Sequence, residues 1–175
     1  MEGVTNSAST RYRLATEILL FECDHHYFGL RSEIVVEVLR SVALSVVPQS
    51  SEVLLGVANL RGKVLPVLNT RHLLGLPTVR LHPSHHFIVV DAGGLVIALH
   101  VDRAVELAQV DSEGGGNVTA IESEVADPPS NIEFITKTDV GLVPVINLRN
   151  MVTQNHFAEL LSLSSSGTST GHSMQ

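Results

Sequence analysis

Val64-Leu65-Pro66-Val67-Leu68-Asn69-Thr70-Arg71 returns 78 residues later as Leu142-Val143-Pro144-Val145-Ile146-Asn147-Leu148-Arg149. Apolar runs mimic one another easily, but here a proline, an asparagine and an arginine coincide as well. Upstream, a shift of 69 lays residues 19–38 over 88–107. Leu20 falls on Val89, Phe21 on Val90, Glu22 on Asp91, Leu30 on Leu99, Glu33 on Asp102 and Glu37 on Glu106. The nine-residue difference between the two shifts is assigned to the stretch at 111–127, DSEGGGNVTAIESEVAD. Self-similarity of this kind signals a duplicated structural unit. The reading is two similar small β-barrels side by side, each too small to bury a secure core alone.

Ten short, β-branched runs recur between turn signals: 18–21, 27–30, 34–39, 54–58, 64–68, 87–90, 95–101, 104–110, 132–135 and 142–146. That pattern predicts strands of an all-β domain. Asp91-Ala92-Gly93-Gly94 predicts a hairpin, because glycine supplies the positive φ of a tight reversal. Helix is expected only at 70–74 and, amphipathic, at 147–161. Residues 1–15 and 162–175 are rich in Ser, Thr and Gly and read as unpacked tails, leaving one folded unit at 16–161. Its halves fall at roughly 16–80 and 81–155. The pattern does not say which strand joins which barrel.

Composition narrows the function. The chain has 175 residues, enough for one domain, with a formal charge of −7. An acidic protein does not offer the basic face that nucleic acid requires, and 4% aromatics leave few stacking surfaces. No apolar run nears the roughly 20 residues of a membrane span, and the polar first fifteen residues lack a signal-peptide core. Cys23 is the single cysteine, so no internal disulfide forms. The expectation is a cytoplasmic protein whose partners are proteins.

Gly56-Val57-Ala58-Asn59-Leu60-Arg61-Gly62-Lys63 and the element at 64–71 that follows it closely resemble the signature of the CheW family. These are the adaptors that couple bacterial chemoreceptors to a histidine kinase. Tyr27-Phe28-Gly29-Leu30, Val35-Val36-Glu37-Val38 and Leu99-His100-Val101-Asp102 resemble further family segments, so the likeness spans residues 18–152. Asn69 and Thr70 depart from the usual Asp and Leu. Ala98 stands where many members have Gly, and Thr136 stands where a glycine is expected. The resemblance implies an all-β fold of two five-stranded SH3-like barrels with a C-terminal helix. It also implies a non-catalytic scaffold between the helical cytoplasmic tip of a chemoreceptor and the regulatory domain of a CheA-type kinase. Such a protein sits at receptor arrays beneath the inner membrane and can join rings of like-folded domains. Two alternatives stand beside this reading: a CheW-like adaptor of a parallel motility or chemosensory pathway, and a small β-barrel metal or ligand sensor.

Arg61 is the foremost site candidate, since Leu60-Arg61-Gly62 turns between two apolar strands and would present a planar, permanently charged fork. The plain reading is an ordinary surface ion pair. The resemblance places Arg61 in the receptor contact with Glu37, and adds Val35, Val38, Ala98 and Ala104 along the same groove. Core packing is the competing reading for these four. Gly62 and Asp102 read as structural turn residues, Asp102 by accepting backbone hydrogen bonds. The clusters Asp24-His25-His26 and His82-Pro83-Ser84-His85-His86 lack metal-ligand spacing and fall at strand ends, so no metal or cofactor is assigned. No catalytic motif is present, and Cys23 sits in an apolar strand, so no catalytic residue is assigned.

Overall fold

The structure, a computed structural model, describes residues 15–111, 131–152 and 154–166. Of the tails expected at 1–15 and 162–175, residues 1–14 and 167–175 lie outside the described residues, as does most of the stretch holding the nine extra residues, whereas Ala15 opens a strand and 162–166 continue a helix. All ten expected strands are present: β1 (Ala15–Cys23), β2 (His26–Arg31), β3 (Val35–Arg40), β4 (Leu54–Leu60) and β5 (Lys63–Asn69). The second series is β6 (His86–Asp91), β7 (Val96–Val101), β8 (Arg103–Asp111), β9 (Ile132–Thr138) and β10 (Gly141–Ile146).

They form two five-stranded sheets, ordered β8-β1-β2-β10-β9 and β3-β6-β7-β5-β4. Neither sheet comes from one half of the chain. Each takes the opening hairpin of one repeat, then borrows the third, fourth and fifth strands of the other. The two orders map onto each other under the repeat, so the duplication seen in sequence is an exchange of strands in space. The sheets are open rather than fully closed barrels. The second is drawn together by one isolated bridge, Ser45 to Val57, with backbone hydrogen bonds of 2.9 Å in both directions. In the first, β8 and β9 lie alongside without a ladder.

This exchange explains the runs. In β1, Leu19, Phe21 and Cys23 face a core shared by both sheets, while Ile18 and Leu20 face a separate cluster with Val143 and Val145. In β6, Ile88 and Val90 join the shared core, and Phe87 and Val89 join a third cluster with Val67 and Ala98. A strand buried on both faces must be apolar at every position, which is why these two read as continuous rather than alternating. The edge strand β3 alternates instead, half-buried and exposed by turns.

Helices α1 (Thr70–Leu73) and α2 (Leu148–Met151) follow the repeated element, each capped by its asparagine: Asn69 accepts from the His72 N–H and Asn147 from the Asn150 N–H. The single helix expected at 147–161 is broken. Val152 is extended (φ −95°, ψ 99°) with its side chain buried, and α3 (Gln154–Ser166) starts beyond it. Burying Val152 in the shared core ends the first turn, as the repeat would require. Helix α3 runs past 161, sets Leu160 into the shared core, and is tied to the segment before β4 by Glu159, which accepts from the Ser51 N–H (2.9 Å) and Oγ (2.8 Å).

Candidate protein-docking groove

The β4–β5 hairpin turns at Arg61 and Gly62, whose φ values of 51° and 80° are those of a mirror-image two-residue turn. Glycine takes that conformation freely, whereas arginine is strained there by roughly 1 kcal/mol. The Gly62 N–H donates to Asn59 Oδ1 at 2.9 Å and pins the turn. Arg61 is 75% exposed, and its two terminal nitrogens reach Glu37 at 3.2 and 3.4 Å. A pair this exposed contributes little to stability, of order a few tenths of a kcal/mol. Its consequence is orientation: it holds the Arg61 fork beside β3.

Between them lies a groove of about 290 Å³ whose walls include Val36, Leu60, Val64, Val89 and Val96. The alternation of β3 puts Val36 on its outward face, 56% exposed, beside exposed Val64 and Val96. Exposed apolar side chains gathered around a charged fork make this groove the candidate docking surface.

The structure brings Arg61 and Glu37 together and puts Val38 on the exposed side of β3. Val35 and Ala104 are half-buried against the shared core. Ala98 is fully buried, in register with Val67 and Val89, and has no surface to offer a partner. Its small size serves packing. Gly62 occupies the turn described. Asp102 accepts the Asp24 N–H at 2.8 Å from the β1–β2 turn.

Sequence reasoning gave Arg71 no role. It is buried at the start of α1, where Nε and Nη2 donate to the two Asp102 oxygens (3.1 and 2.5 Å) and Nη1 donates to Asp24 Oδ1 and the Pro77 carbonyl, both at 3.0 Å. Burial alone would raise the Asp102 carboxyl, yet Arg71 and the Asp24 N–H hold it below its ordinary value. The signal was available, since Arg71 closes the repeated element.

Cys23 is buried and its thiol is pushed up to about 12, chiefly by desolvation, so it is a packing residue and not a thiolate. His85 Nδ1 and His100 Nε2 share one hydrogen bond at 2.9 Å. Among the described residues no three His, Cys, Asp or Glu side chains converge to hold a metal, and no helix is long and apolar enough to cross a membrane.

Two five-stranded sheets that exchange strands, with the Arg61 hairpin over an apolar groove, define a duplicated all-β protein with a candidate protein-docking face. The chain belongs to the CheW family: its profile, CheW-like domain, matches residues 17–156. It is 25% identical over 145 residues to protein FrzA of Myxococcus xanthus, covering 83% of this chain and 84% of that protein. To chemotaxis protein CheW of Bacillus subtilis it is 28% identical over 104 residues, 59% of each. The crystal structure of the scaffolding protein TtCheW from Thermoanaerobacter tengcongensis superposes with a TM-score of 0.67 at 26% identity, covering 82% of this chain and 96% of that one. This is a CheW-like adaptor of chemotaxis-type signalling.

Proposed function

We propose that the protein couples chemoreceptors to a CheA-type histidine kinase, without catalysis of its own and in the cytoplasm at receptor arrays. The observation that carries this is the Arg61 hairpin, fixed by Asn59 and Gly62 beside the valine-walled groove. An α-helical receptor tip can lay an apolar stripe into such a groove and meet the guanidinium with a polar group. Val36 and Glu37 line that contact and Val38 lies exposed farther along β3, while Val35 and Ala104 pack against the shared core and Ala98 packs beneath Val89 of the groove wall. The kinase's CheW-like regulatory domain takes another face, and because the two domains share a fold they can alternate in a ring, where weak contacts gain strength from effective concentration. The test is co-sedimentation with receptor-containing membranes, with and without kinase. Wild-type protein should sediment and carry kinase with it, whereas Arg61→Ala should stay in the supernatant. Equal sedimentation of both would refute the role of Arg61.

A second reading is favoured by the similarity to FrzA, a relative not named for chemotaxis, together with the substitutions Asn69, Thr70, Ala98 and Thr136 in the family pattern. In it the same groove serves a parallel chemosensory pathway. Side-by-side binding to a CheA-type chemotaxis kinase and to the kinase of a parallel pathway separates these readings.

A further inference from the structure

The repeat places two arginines at corresponding positions, and only one is satisfied. Arg71 is enclosed by Asp102, by Asp24 from the β1–β2 turn and by the Pro77 carbonyl. Arg149 occupies the matching place in α2 and lies against the β6–β7 turn. There Gly93 replaces Asp24, and Glu33 replaces Asp102. Arg149 is exposed, and among the described residues it makes no hydrogen bond or ion pair. Its Nη2 lies 3.5 Å from where a Cβ on Gly93 would stand. Beside it opens a cavity of about 330 Å³ lined also by Arg31, Glu33, Asp91 and Asn147. The closed repeat completes its arginine with two carboxylates; the open repeat keeps the counterpart of one, Glu33, in the same cavity but unbonded to Arg149, and at Gly93 lacks the other.

The geometry points to Arg149 and the cavity over Gly93 as a docking point for a carboxylate side chain of the receptor tip. This rests on the coupling function proposed above. The occupant follows from continuity. The cavity begins at Glu33, Asp91 and Ala92, and the Arg61 groove at Val36, Glu37 and Val89, on the same stretches of chain. Only Val35 on one stretch and Val90 on the other separate the two linings, so the openings are neighbours. A partner covering the usual ~800 Å² reaches both. The cavity's own acids favour a single carboxylate over a multiply charged anion. Glu133 is neutralised by Arg31 at 2.5 Å and Asp91 accepts the Gly94 N–H at 2.6 Å, but Glu33 remains as a repelling charge.

Gly93→Asp should fill the site from within. Asp24 already adopts the left-handed backbone (φ 53°) at the corresponding turn, and a side chain at Gly93 (φ 87°) meets only Arg149. The experiment titrates a receptor signalling-tip fragment into the full chain, wild type and three variants, with melting temperatures recorded for each. Gly93→Asp and Arg149→Ala should each weaken receptor binding roughly tenfold, the loss of one charge-assisted contact. Gly93→Ala, which adds backbone strain without a carboxylate, should bind within about twofold of wild type. Wild-type binding undiminished in Gly93→Asp and Arg149→Ala would overturn this inference alone. Equal weakening in Gly93→Ala would also overturn it, by assigning the effect to the turn. Absence of wild-type binding would remove the coupling function and this inference with it.

Discussion

Arg71 and Asp102 meet through two parallel hydrogen bonds, Nε to Oδ1 at 3.1 Å and Nη2 to Oδ2 at 2.5 Å, and the same carboxylate accepts the Asp24 N–H. Arg71 follows β5 and Asp102 follows β7, in one sheet, while Asp24 turns β1 into β2 in the other. The triad therefore fastens the two exchanged sheets at one end of their shared core.

Arg71→Met should remove that fastening and leave two carboxylates facing each other. Breaking a fully buried pair costs about 3–5 kcal/mol. Here the carboxylates are 20% and 34% exposed, so a loss of about 2 kcal/mol is expected. Urea unfolding of the variant reads it as a lowered midpoint at unchanged slope. An unshifted midpoint would show the triad to be dispensable.

Stability should fall on mild acidification. His100 is 1% exposed and its pKa is pushed down to about 4, first by burial and then by the charge of His85. His85 is lowered too, by burial and by His82 and Arg71, while Asp102 acts the other way. A histidine depressed on folding binds fewer protons in the native state than in the unfolded chain. Its burden is absent above about 6.5 and grows as pH falls from 6.5 towards 4, reaching on the order of 3 kcal/mol. Denaturation midpoints across that range should drop steadily, and His100→Leu should flatten the slope. A level wild-type profile would contradict the assignment.

Thr70 should be improvable. Its hydroxyl is buried and has no hydrogen-bond partner among the described residues, and the matching position in the second repeat is Leu148. An unsatisfied buried hydroxyl costs about 1–3 kcal/mol. Thr70→Val keeps the shape and removes the polar group, so a gain of about 1 kcal/mol is expected in thermal unfolding. A lower melting temperature would mean that the hydroxyl is bonded in solution.

The strands were legible because β-branched runs bounded by Gly, Pro and Asp leave little alternative, and the duplication was legible because a proline, an asparagine and an arginine repeat with it. The exchange was not. Alternation tells which face of β3 is buried, but nothing in it says that β3 pairs with β6 and leaves β1 to β8. The turn showed that Arg61 projects from a hairpin, but its pairing with Glu37 was legible only through the family resemblance. Arg71 escaped notice because an arginine at a helix start reads as solvated surface, and its carboxylates come from turns 47 and 31 residues away. Ala98 shows the reverse case, where a small residue suited to close approach lies wholly inside. The break at Val152 was hidden because an apolar residue there suits helix and buried loop equally well.

The coupling function is tested most directly by titration calorimetry of the protein against the CheW-like regulatory domain of its own organism's CheA-type kinase. Saturable binding in the micromolar range is expected, and Arg61→Ala should leave it unchanged because that hairpin is assigned to the receptor. No heat at high concentration, with both proteins folded, would contradict the account and leave the parallel-pathway kinase as the partner to titrate.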